Sequence, residues 1–172
     1  MGRTSVGLVS DTHGWLDEKV CEVFKDVAHI VHAGDIGQEA VIHRLEEVAP
    51  VTVVRGNIDG GELRFYPLEA SVMVASKKIS ALHIAGSPKR PRPAARELIS
   101  RLRPDVLVVG HSHIPVVGKV GPTLWINPGA AGRVGFHTER YAAILHIEDD
   151  GSFAMDRVLL GPRSASLEKG DR

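Results

Sequence analysis

A chain of 172 residues with 43% hydrophobic content predicts one domain built on a single continuous core. Its 21 Lys+Arg cancel 21 Asp+Glu, which excludes a polyanion-coating protein with a broad nucleic-acid-binding face and makes any anion contact local. A lone cysteine, Cys21, excludes an internal disulfide and a Cys-x-x-Cys zinc centre, and fits a reducing compartment. No apolar run approaches the ~18 residues of a bilayer span, and Met1–Ser5 lacks the order of a signal peptide. The expectation is a cytoplasmic protein with no membrane partner.

The apolar run Ser5–Ser10 reads as a strand, and Leu16, Val20, Val23, Phe24 and Val27 follow at helical spacing. The pattern repeats with a strand at His29–Ala33, a helix marked by Val41, Ile42, Leu45 and Val48, and a strand at Val51–Val54. A hairpin-like pair comes next, Val72–Ala75 and Ile79–Ala85, joined through Ser76-Lys77-Lys78. A helix near Ala94–Leu102 leads into a strand at Val106–Val109. Extended pieces at Val116–Val120, Thr123–Ile126, Tyr141–Ile147 and Phe153–Leu159 are separated by Gly-Pro, Pro-Gly and Asp-Gly turn signals. Residues 161–172 predict a flexible C-terminal tail beyond a single domain over 1–160.

Four strands end in a metal-ligand residue type beside glycine: Asp11-Thr12-His13-Gly14, Gly34-Asp35, Gly56-Asn57 and Gly110-His111-Ser112-His113. Each pair alone is weak, but the four in this order have a chance expectation of about 0.0002 in a chain of this composition. The set is therefore a signal. Ligands of open α/β sheets collect outside the carboxyl ends of the strands, which is where these residues fall.

On these motifs the sequence resembles the calcineurin-like metallophosphoesterases, specifically the small bacterial and archaeal phosphodiesterase family that also includes the eukaryotic retromer scaffold subunit. The resemblance runs from about Val6 to Ile147 and includes Asn127-Pro128-Gly129 before Ala130, similar to the family's Asn-Pro-Gly-Ser. It implies an α/β fold, a four-layer αββα sandwich with a dinuclear metal site at the carboxyl ends of the strands. Carried over position by position, it implies that Asp11, His13, Asp35 and His113 hold one metal and that Asp35, Asn57, His83 and His111 hold the other. Asp35 would bridge the two, with Asp35, Asn57 and His83 as catalytic positions. Small relatives form dimers or tetramers, so the resemblance also implies a homo-oligomer.

The chemistry asks for such a set on its own terms. Carboxylate, amide and imidazole without thiolate suit two divalent ions, with Mn²⁺ expected and Fe, Zn or Ni as alternatives. Two such ions, two aspartates and a bridging hydroxide are formally about +1, matched to a monoanionic phosphodiester. Metal binding brings the pKa of water to about 7, so attack by the bridging hydroxide follows.

Three positions depart from the family pattern. Ala85 replaces the second histidine of His-Gly-His, Ala130 replaces serine, and Ile58 stands where related phosphatases carry the histidine of Gly-Asn-His-Glu. The last leaves no leaving-group acid named. His137 lies in a loop where such an acid could sit, although an ordinary loop histidine is the expected reading. His32 is either a core histidine or a partner of the ligands, and His29, His43 and His146 are expected in core or surface roles. Trp15 is expected to pack over the first helix. The basic segment Lys89-Arg90-Pro91-Arg92 reads as a solvated loop or, because it follows His83 closely, as a contact for substrate phosphate through Lys89, Arg90 and Arg92. The sequence reading is a metal-dependent phosphodiesterase acting on a small phosphodiester, with a phosphomonoesterase or a non-catalytic metal-binding scaffold as alternatives. All seven ligand positions are filled, which argues against the scaffold.

Overall fold

The computed structural model describes residues 2–164. Strand β1 (Thr4–Val9), helix α1 (Glu18–Val23), β2 (His29–His32), α2 (Glu39–Glu46) and β3 (Val51–Val53) form the expected alternating unit. A 3₁₀ turn at Gly61–Phe65 leads to β4 (Glu69–Val74) and β5 (Lys77–Leu82). Helix α3 (Pro93–Leu102) precedes β6 (Val106–Val109), β7 (Val116–Val120), β8 (Thr123–Asn127), β9 (Glu139–Ile147) and β10 (Phe153–Pro162). The strands make two five-stranded sheets, ordered β10-β9-β1-β2-β3 and β4-β5-β6-β8-β7.

The sheets face each other across Val6, Leu8 and Val31 on one side and Ile79, Ala81, Val106, Val108 and Ile126 on the other. Outside the first sheet, Val20 of α1 and Val41, Ile42 and Leu45 of α2 cover Val9, Ile30 and Val53. Outside the second, Ala95 and Leu98 of α3 cover Leu82, Leu107 and Trp125. This is the expected αββα order. It explains why the inner strands read as near-continuous apolar runs, since both faces are covered. Burying each Leu, Ile or Val side chain contributes about 1.5–3 kcal/mol.

Several boundaries differ from the sequence reading. Helix α1 is shorter than the Leu16–Val27 spacing suggests, because the Asp17 side chain accepts from Lys19 N at 2.9 Å and fixes its start. Leu16 and Val27 still pack on the core from the flanking turns. The β4–β5 hairpin turns at Ala75 and Ser76, both at positive φ (47° and 64°), so Lys77 and Lys78 belong to the strand. Gly161 and Pro162, expected in the tail, belong to β10. Gly161 and Pro162 pair with Arg140 and Glu139 after a bulge, held by Arg140 Nε donating to Pro162 O at 3.0 Å. The remainder of the expected tail, residues 165–172, lies outside the described residues. Among the described residues no helix is long and apolar enough to cross a membrane.

Strands β1, β2 and β3 are parallel, with Val9 opposite His32 and His32 opposite Val53. Strands β5, β6 and β8 are also parallel, with Leu82 opposite Val109. Six loops therefore leave the same end of the sandwich side by side.

Candidate metal centre

The backbone at this end is locally strained. Asp11, His13, Asp35, His111 and His113 all have left-handed φ, between 48° and 72°, a region non-glycine residues enter rarely and at a cost of about 1–3 kcal/mol each. The surroundings compensate. Asp11 N donates to Gly34 O at 2.9 Å, His13 N to Asp35 O at 3.0 Å and Gly14 N to Ile36 O at 2.7 Å, carrying the β1–β2 register into the loops. Gly56 is required by close approach: a Cβ there would lie 2.1 Å from Asp35 Oδ1.

The side chains converge in two groups, one of Asp11, His13, Asp35 and His113 and the other of Asp35, His83 and His111, with ligand atoms within 4.8 Å of one another in each. Asn57 joins the second, its Oδ1 lying 3.1 Å from His83 Nε2 and 3.0 Å from His111 Nδ1. Asp35 faces both, with Oδ2 at 3.5 Å from His13 Nε2 and Oδ1 at 3.2 Å from His83 Nε2. All seven sequence-predicted positions are thus brought together.

These groups fit divalent cations. Asp11 Oδ1 and His13 Nε2 are buried with no hydrogen-bond partner among the described residues, a costly state unless something of opposite character sits between them. His83 Nδ1 lies 2.7 Å from Ala33 O and must donate to it, so Nε2 of the neutral ring is a lone pair facing the oxygens of Asn57 and Asp35. Only a proton or a metal ion resolves that arrangement. Burial opposes protonation of His83, yet the hydrogen bond to Asp35 and the charges of Asp11 and Asp35 raise its pKa above the ordinary histidine value. Asp35 is held below the usual carboxylate range: burial opposes this, and His83 and the Ile58 N–H outweigh it.

Four braces hold these loops, of which the sequence reading offered only His32 as a partner of the ligands. The buried Asp59 carboxylate accepts from Gly56 N at 2.7 Å, Ile36 N at 3.1 Å and Gly37 N at 3.0 Å, tying the β2 and β3 loops together. Ser10 Oγ donates to Asp11 Oδ2 at 2.7 Å. Thr12 Oγ1 donates to Ile36 O and accepts from His32 Nε2, both at 3.0 Å, while His32 Nδ1 accepts from Gly34 N at 3.1 Å. His32 is therefore a neutral partner of the ligand loops, its pKa pushed down to about 4 by burial. Asn127 Nδ2 donates to Gly110 O at 3.2 Å and to Ser112 Oγ at 3.0 Å, bracing the His111–His113 turn. Gly-Asn-x-Asp and Asn-Pro-Gly carried the signal for two of these, since Asp and Asn beside tight turns cap backbone groups.

Arg90 and Arg92 line a cleft of about 330 Å³ with Gly110, His111 and Ser112. Lys89 does not join them, lining instead a cleft with Val116, Val117 and Lys119. On the other flank, Asn57 and His83 adjoin an apolar cleft of about 220 Å³ lined by Leu68, Leu82 and Ile84. Ile58 is 45% exposed beside Asn57 and has no proton to donate. Trp15 carries the Arg133 and Arg140 guanidiniums at 3.9 and 4.8 Å from its ring centre, so it is engaged within the fold.

Residues 5–150 match the calcineurin-like phosphoesterase superfamily domain. The chain belongs to this superfamily. Among curated relatives, a probable metallophosphoesterase of Methanothermobacter thermautotrophicus is 32% identical over 134 residues, covering 73% of this chain and 76% of its own. The probable metallophosphoesterase YsnB of Bacillus subtilis is 30% identical, covering 86% of this chain and 87% of its own. A structure described as a novel archaeal phosphodiesterase is 25% identical with a TM-score of 0.70, covering 90% of this chain and 100% of its own. Vps29 of Entamoeba histolytica, solved with zinc, shares the fold at 18% identity with a TM-score of 0.65, covering 91% of this chain and 99% of its own. Membership places the chain among phosphoester hydrolases, with two candidate metal-binding clusters at the strand ends.

Proposed function

We propose that this calcineurin-like phosphoesterase is a metal-dependent phosphodiesterase acting on a small phosphodiester. Asp11, His13, Asp35 and His113 would hold one divalent ion, and Asp35, Asn57, His83 and His111 a second. The observation that carries the reading is the pair of donor groups joined through Asp35, containing buried Asp11 Oδ1 and His13 Nε2 atoms without partners among the described residues. Two divalent ions there, Mn²⁺ expected and Fe, Zn or Ni as alternatives, would supply Lewis acidity and a water acidic enough to be a nucleophile near neutral pH.

The chain's own residues do the rest. Only two carboxylates enter the donor groups, and Asn57 adds an uncharged oxygen, so the loaded centre stays net positive and attracts a phosphate anion. Arg90 and Arg92, on the cleft that includes His111, are suited to phosphate oxygens. Ile58 offers no general acid, which favours leaving groups that need little protonation, such as those of aryl diesters. The 25%-identical relative described as an archaeal phosphodiesterase supports the same substrate class.

The test is a hydrolysis panel with Mn²⁺, Fe²⁺, Zn²⁺ and Ni²⁺, comparing aryl diesters, aryl monoesters, cyclic nucleotides and nucleic acids. A chelator-sensitive preference for diesters is expected. A monoester preference would move the assignment to a phosphomonoesterase, and inactivity with every metal would favour a scaffold.

A further inference from the structure

His137 stands outside both donor groups, on the loop between β8 and β9. Its Nε2 lies 2.8 Å from Gly132 O, and a carbonyl can only accept, so Nε2 carries the proton of the neutral ring. Its Nδ1 is then a lone pair, 3.0 Å from His113 Nδ1. That contact is a hydrogen bond only when His113 Nδ1 donates. In the neutral ring His113 Nε2 is then without a proton, 3.1 Å from Asp11 Oδ1 and inside the first donor group.

The acceptor at the end of this chain is itself fixed to the ligand loop, since Gly132 N donates to Asp11 O at 3.0 Å and Ala131 N to Ser10 O at 2.9 Å. Gly135 gives an independent sign that the loop is built around the His113 ring. Its φ is 132°, and a Cβ would fall 2.2 Å from His113 Nδ1. Both nitrogens of His137 are thereby engaged, which removes it as the substitute leaving-group acid.

We infer that His137 is a positioning residue that selects the Nδ1–H tautomer of His113 and so aims the Nε2 lone pair at the metal position. The inference rests on the reading of His113 as a ligand. Partners of ligating imidazoles typically govern metal affinity by 10–100-fold. Asparagine at 137 retains an acceptor near the Nδ1 position, whereas leucine removes it.

The test combines two readouts on the full chain. Long-range ¹H–¹⁵N correlation spectra of the chelator-treated protein at pH 8 report which His113 nitrogen is protonated, and competition against a chromophoric chelator reports Zn²⁺ affinity. Wild type should show a proton on His113 Nδ1. His137→Leu should weaken one of two Zn²⁺ sites about 10–100-fold and mix the His113 tautomers, and His137→Asn should restore both. A His113 Nδ1 that carries no proton in wild type would overturn the inference even if His137→Leu fails to fold. Unchanged Zn²⁺ affinity in His137→Leu, or a loss that His137→Asn does not repair, would overturn it and leave the metal reading standing. Failure of the wild-type chain to bind Zn²⁺ at all would instead sink the metal reading.

Discussion

Asp35 Oδ1 and His83 Nε2 lie 3.2 Å apart, with the other nitrogen of His83 already committed to Ala33 O. Neither atom can serve the other without a shared cation. The geometry of the strand ends therefore sets a requirement for positive charge before any substrate is considered, and the loops are held around it.

Asp59 is the central brace. Asp59→Ala leaves the Gly56, Ile36 and Gly37 N–H groups without their carboxylate, and hydrogen bonds to charged groups contribute about 1.5–3 kcal/mol each. Partial rehydration lowers the sum, so a loss of about 3 kcal/mol in urea unfolding is expected, together with weaker metal binding. A loss below about 1 kcal/mol would mean that the loops hold without it.

His32 predicts acid sensitivity. Its folded pKa of about 4 lies below the unfolded 6.5; burial, aided by His83, outweighs the pull of Asp11, Asp59 and Asp35. Above pH 6.5 His32 is neutral in both states and contributes no slope. Between pH 6.5 and 4 the unfolded state takes up a proton that the folded state refuses, so stability falls by about 3 kcal/mol and this contribution levels off below pH 4. Unfolding of the chelator-treated protein across this range, compared with His32→Gln, measures it. The variant should lack that part of the slope, and a His32 ring titrating near 6.5 in NMR would contradict the assignment.

The two arginines and Lys89 should separate. Arg90→Gln with Arg92→Gln should raise KM for an anionic diester about tenfold with a smaller effect on kcat and a weaker salt dependence, while Lys89→Gln should change little. Equal effects of Lys89 and the arginines would point to a diffuse field around the loop.

Ile58 should govern leaving-group dependence. Across a series of diesters the wild-type kcat/KM should fall steeply with leaving-group pKa, and Ile58→His should flatten the slope, because general acid catalysis typically contributes 10²–10⁴-fold. A flat wild-type slope would show that an acid is already present.

The loops that carry the site were legible because four of them set a candidate ligand beside a glycine at the end of a parallel strand, so chemistry and fold read off the same residues; His83, at the end of β5, has no adjacent glycine. The layer order was legible for a related reason: strands covered on both faces are apolar throughout, and the helices between them are not. Side-chain-to-backbone bonds across loops left no periodic trace, which is why Asp59 and the Thr12–His32 contact appeared only in three dimensions. The end of β10 is hidden in the sequence because Gly161-Pro162 resembles a turn signal, whereas pairing with Arg140 and Glu139 after a bulge, and the Arg140 side chain, carry the strand on. The basic segment was read as one unit, whereas its turn sends Lys89 to a different cleft from Arg90 and Arg92.

The central claim is that one carboxylate serves two metal positions, and counting ions tests it most directly. Metal analysis of wild type and Asp35→Asn after dialysis against Mn²⁺ should give two ions per chain in the first and weakened occupancy at both positions in the second, with hydrolysis lost. Two tightly held ions and full activity in Asp35→Asn would contradict the account.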